Sequence, residues 1–151
     1  MGASEWRYFV PYQEDLNQAL QDLRQQVFST GKYWWYGDSE YLSPASRLPR
    51  PARLEDLFED EYVREEGTHS ILDVFRVVDP DRPRDWYDQG TIVPATTDEV
   101  RAAIGTDRPT RTDTAELDDK LPRARWVGRC AVLYDEHDNP AEITFWGHSG
   151  D

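Results

Sequence analysis

"RARWVGRCAVLYDEHDNPAEITFWGHSGD", residues 123–151, holds two β-rich runs on either side of "DEHDNP". Asp and Asn beside Pro form tight turns, and β-branched and aromatic residues flank them, so the stretch predicts a C-terminal β-hairpin. In the first run Trp126, Cys130, Val132 and Tyr134 share one face with Gly128 between them, and Val127, Ala131 and Leu133 share the other. A hairpin sets adjacent strands antiparallel, and the remaining segments are read around that pair.

"EWRYFVPY", residues 5–12, is aromatic and β-branched up to Pro11 and predicts a first strand. "QEDLNQALQDLRQQVFSTG" follows, with Leu16, Ala19, Leu20, Leu23 and Val27 at helical spacing and Gly31 as the stop. "LEDLFEDEYVREEG", residues 54–67, places Leu54, Leu57, Phe58 and Tyr62 on one side of a short helix and predicts a very acidic outer face. "THSILDVFRVVD" predicts an internal strand. "TTDEVRAAIG" has Thr96 and Glu99 at capping-box spacing and closes on Gly105, which predicts a short helix. "LSPASRLPRPARL" and "DPDRPRDWYDQG" are too rich in proline and charge to be other than loops. Helical and strand patterns are mixed rather than strictly alternating. The expected class is α+β, one domain over residues 1–151, with a mainly antiparallel sheet, two to four helices and a C-terminal hairpin.

The 151-residue chain has 30 acidic against 17 basic residues and a net charge of −13. Such a field repels phosphate backbones and anionic lipid and steers basic proteins inward. Direct nucleic-acid and membrane partners are therefore not expected. Cys130 is the only cysteine, so no intrachain disulfide forms, and no export signal or membrane span is read. A cytoplasmic location follows as an expectation.

No metal or cofactor motif is recognised. "DPDRPRDWYDQG" begins like a calcium loop but has Gly90 where a bidentate Glu belongs, and Asp135, Glu136, His137, Asp138 and Asn139 are turn formers first. His69 lies beside Ser70 with Asp73 near, and His148 beside Ser149 and Asp151, yet a serine nucleophile draws its base from a distant segment. Cys130, inside an apolar run, reads as core.

"GKYWWYGDSEY", residues 31–41, is the aromatic centre of the chain. Trp34 and Trp35 are adjacent, so an extended backbone sends them to opposite faces and leaves at least one near the surface. Their neighbours are Asp38 and Glu40, which disfavours stacking on single-stranded nucleic acid and suits an ammonium or guanidinium group. Equally, the rings serve as core caps beneath the proline segment. Between positions 55 and 66, Glu55, Asp56, Glu59, Asp60, Glu61, Glu65 and Glu66 face Arg64 alone. Exposed carboxylates beside aromatic anchors suit an inhibitor of a basic protein, with charge for steering and rings for retention.

"EWRYFVPYQEDLNQALQDLRQQVF" and "EEGTHSILD" resemble segments of short uncharacterised bacterial proteins that carry a similar Arg-Tyr-Phe strand and Gly-Thr-His-Ser stretch. The resemblance implies a bacterial origin and transfers no activity and no site residue. Three functional readings stand at this point. The leading one is a non-enzymatic acidic binding protein, like an immunity protein or antitoxin, that occludes a basic partner such as a nuclease toxin. Its contact residues are Trp34, Trp35, Tyr36, Asp38, Glu40, Glu55, Glu59, Asp60, Glu61, Glu65 and Glu66. The second is a small enzyme or ligand-binding domain with an aromatic pocket and His69 with a carboxylate such as Asp73 or Glu40 as acid and base. The third is a DNA mimic, which needs carboxylates along a longer face than this sequence offers.

Overall fold

A computed structural model describes residues 3–81 and 89–150. The segment 82–88, which holds most of the proline-rich stretch compared above with a calcium loop, lies outside the described residues, as does Asp151. Among the described residues, five strands form one sheet: β1 Ser4–Pro11, β2 Arg76–Val77, β3 Thr91–Pro94, β4 Val127–Tyr134 and β5 Pro140–Ser149, in the order β1-β5-β4-β3-β2. Among the described residues the α-helices are α1 Leu16–Thr30, α2 Leu54–Leu57, α3 Glu61–Glu66, α4 Thr97–Ile104 and α5 Thr114–Lys120. No helix among them is long and apolar enough to cross a membrane.

The class is α+β, and the hairpin of β4 and β5 forms as expected, with Arg129 opposite Trp146 and Val132 opposite Ile143. The sheet is mixed rather than mainly antiparallel. β1 and β4 flank β5 antiparallel, whereas β3 runs parallel to both β4 and β2. Parallel neighbours need a crossover, and here α4 and α5 supply it between β3 and β4. The expected internal strand over 68–79 is also corrected. Ser70 and Asp73 close a capping box around a 3-10 turn at Ile71–Asp73, which leaves a two-residue edge strand at Arg76–Val77. Side chains of this kind offer the backbone an alternative to ladder bonds.

Local signals account for the two longest helices. Asp15 caps α1 by accepting from the Gln18 amide, and Gly31 ends it in the left-handed conformation at φ 69°. Ala19, Leu20, Leu23 and Val27 are its buried stripe, as their spacing predicts. Thr96 and Glu99 form the capping box of α4, and Gly105 closes it. The acidic segment breaks instead into α2 and α3, because Asp60 accepts from the Val63 amide and starts a new helix. Val63 thereby becomes the buried residue of α3, and Tyr62 turns outward at 45% exposure rather than inward with Leu54 and Leu57. Five α-helices thus replace the two to four expected, since α5 also carried no strong periodic signal.

Helices cover both faces of the sheet. On one face Trp6, Ile92, Cys130, Ile143 and Phe145 pack with Leu20, Leu23 and Val27 of α1, and with Leu57 and Val63. On the other, Ala131 and Trp146 pack with Val100 and Ala103 of α4 and Leu117 and Leu121 at α5. The side-chain period of two along β4 and β5 makes this division. Trp126, expected on the Cys130 face, lies outside β4 at φ 66°.

Gly128 and Gly147 form a floor for the Trp6 indole. A Cβ at Gly128 would lie 2.4 Å from Ile92 Cδ1 and 2.7 Å from Trp6 Cη2. Gly128→Ala is expected to cost about 1–3 kcal/mol of stability through overpacking. A urea denaturation midpoint equal to that of the parent protein would contradict this account of the floor.

Candidate functional site

The aromatic stretch divides in the way its alternation requires. Tyr33 and Trp35 are buried, whereas Trp34 is 41% exposed. Trp35 donates its indole N–H to Leu48 O at 2.9 Å, and Tyr33 lies under the Arg50 guanidinium at 4.4 Å. Arg50 also bonds Asp38 and Gly31 O. The proline-rich segment therefore covers Tyr33 and Trp35 as core caps, and Asp38 is committed to holding that segment down. Trp34 is fixed from the other side, since its backbone N–H donates to Thr68 O at 2.9 Å.

Four rings form a continuous row on the surface. His69 meets Trp34 edge-on with centroids 5.1 Å apart, Trp34 lies 6.1 Å from Tyr62, and Tyr62 lies 4.5 Å from Tyr36. Tyr36 donates its hydroxyl to Asp60 Oδ2 at 2.6 Å, and that carboxylate pushes Tyr36 up to about 12. Asp60 caps α3 with its other oxygen, so one carboxylate orients both the ring row and the acidic helix. Tyr62 is the residue that sequence reasoning placed on the wrong side. The Asp60 cap, with Val63 three residues on, was the available signal.

The acidic residues fall into two groups. Asp38 pairs with Arg50, and Glu55 and Asp56 with Arg53. Among the described residues, no cation lies within ion-pair distance of Glu59, Glu61, Glu65 or Glu66. Helical spacing puts Glu65 and Glu66 on the face of Tyr62. Arg64, the only cation in α3, turns back to Phe58 O. Glu40 is exposed in the turn after the rings.

Among the described residues, no hydrogen bond joins His69 to Asp73. His69 Nδ1 and Ser4 Oγ are hydrogen-bonded at 2.8 Å. The Asp73 oxygens accept from Thr68 N and Oγ1, from Ser149 Oγ at 2.6 Å and from Ser70 N. Ser149 in turn accepts from the Trp6 indole. Burial raises the Asp73 carboxyl above its ordinary value, against the pull of these bonds. The residue is a buried knot joining β1, the end of β5 and the turn that holds Trp34.

Cys130 is fully buried, and burial pushes its thiol up to about 12, as befits a core position. Asp135 accepts from the backbone amides of His137 and Asn139 at the hairpin tip, the turn-forming role expected of it. Burial lowers His148, and the nearby Arg123 lowers it further.

No family model, curated protein or solved structure matches this chain.

Proposed function

We propose that this protein is a non-enzymatic acidic binding protein, of the immunity-protein or antitoxin kind, that occludes a basic protein such as a nuclease toxin. The observation that carries the reading is the continuity of the ring row with α3: Tyr62 belongs to both. Trp34, Tyr62 and Tyr36 supply flat apolar area at low entropic cost, and Glu59, Glu61, Glu65 and Glu66, which have no ion-pair partner among the described residues, lie in the same acidic segment as Tyr62. The dense charge is confined to the short helices α2 and α3, which does not favour a duplex mimic.

The mechanism is steering followed by anchoring. Exposed carboxylates raise the encounter rate with a cationic surface, and aromatic burial then slows release. Affinity capture at about 50 mM and about 500 mM salt, a range over which exposed pairs become screened, supplies the partner. Against that partner, the triple variant Glu59→Lys, Glu61→Lys, Glu65→Lys is expected to associate at least about tenfold more slowly at low salt, with a smaller change in dissociation. An unchanged association rate would remove α3 from the interface.

A further inference from the structure

Arginine stacks on aromatic rings throughout this molecule. Arg50 lies 4.4 Å from the Tyr33 ring centre, Arg111 4.1 Å from Phe9, Arg24 5.1 Å from Phe75 and Arg108 5.8 Å from Tyr134. Trp34 and Tyr62 are exposed, at 41% and 45%, and among the described residues no cation lies over either. Indole offers the strongest π face of any side chain to a cation, and Trp34, though it meets His69 and Tyr62, keeps 41% of its surface exposed. The position is tethered from two sides, since the Thr68 carbonyl accepts from the Trp34 backbone and Asp60 accepts from Tyr36, which packs against Tyr62.

We infer that the Trp34–Tyr62 surface is a receptor for an arginine side chain presented by the basic partner. The inference rests on the binding-protein reading above and names the group that the rings accept. A guanidinium is planar and weakly hydrated, so it lies flat on a ring while its edge N–H groups remain free to donate to carboxylate oxygens. Glu65 and Glu66, on the helical face of Tyr62, are the acceptors available for that edge. A lysine ammonium keeps its hydration shell, and it cannot stack and donate in the same plane. Steering by total charge treats the two alike, whereas this surface does not.

The test uses the full chain and two peptides of equal length and charge, one alternating glycine with arginine and one alternating glycine with lysine, titrated calorimetrically at about 50 mM salt. The arginine peptide is expected to bind about two- to fivefold more tightly, as an exposed cation–π contact allows. Trp34→Ala should bring that ratio to one, and Trp34→Phe should retain part of it. Glu61→Gln, Glu65→Gln and Glu66→Gln together should weaken both peptides. Equal binding of the two peptides, or a preference that survives in Trp34→Ala, overturns the arginine receptor while leaving the acidic interface standing. Binding of neither peptide to the parent protein would overturn the acidic interface as well.

Discussion

Arg129→Met will lower the unfolding free energy by about 2 kcal/mol or more, the size expected when the acceptors of a buried guanidinium are stranded beside a carboxylate that water still reaches. The Arg129 side chain is only 5% exposed and spends every face of its guanidinium on the fold. Its Nε donates to Val93 O at 3.0 Å, its Nη1 to Pro122 O at 2.7 Å, and its Nη2 to both oxygens of Glu99 at 2.8 and 3.0 Å. It thereby ties β4 to β3, to α4 and to the segment entering β4. Methionine fills similar volume and donates nothing, so two carbonyls and a carboxylate lose their donor. A midpoint shift in guanidinium denaturation worth under 1 kcal/mol would refute this placement.

The same pair predicts an acid response. Burial raises Glu99, but the Arg129 and Thr96 hydrogen bonds outweigh it and hold the carboxyl below its ordinary value of 4.5. A depressed native carboxylate contributes stability that is present above the unfolded value and lost as pH falls through the native one. Below about pH 4.5, therefore, the parent protein should lose more stability on acidification than Arg129→Met does. Parallel acid profiles would show that the pair is not the source.

Asp73→Ala is the second large effect, at about 2–4 kcal/mol, because it strands several buried donors at once. Thr68 N, Thr68 Oγ1 and Ser149 Oγ all lose an acceptor. The variant also reaches the candidate interface, since Thr68 O is the acceptor that fixes Trp34. Its Trp34 indole NMR resonance should shift or broaden under conditions where the rest of the spectrum stays native-like. Asp73→Asn is expected to cost less, because burial raises the native carboxyl and its ionisation opposes folding at neutral pH. Loss of stability in Asp73→Ala without any change at Trp34 would separate the knot from the surface.

These two residues mark the boundary of what local pattern reveals. Arg129 reads as an ordinary basic residue in an apolar strand, and Asp73 as a neighbour of His69. Their roles arise from Glu99, Val93, Thr68 and Ser149, all brought in by the fold. The acidic surface was legible as composition, yet its relation to the rings was not. Tyr62 faces Trp34 because the Asp60 cap restarts the helix, and the phase of α3 then follows from that cap rather than from Leu54.

α1, α4 and the C-terminal hairpin were readable directly, because each is written in contacts between near neighbours in the chain: Asp15 with Gln18, Thr96 with Glu99, Asp135 with Asn139. That Trp34 and Trp35 part to different sides was readable for the same reason, since alternation is a property of the backbone itself, but which of them turns outward was not. Tertiary packing alone decided the parallel pairing of β2, β3 and β4, the existence of α5, and the row from His69 to Tyr36. A strand as short as Thr91–Pro94 carries no period of its own, and "TAELDDK" shows too few apolar positions for a helical stripe. Such segments take their structure from the apolar faces they close, and that free energy exists only once residues distant in sequence have met.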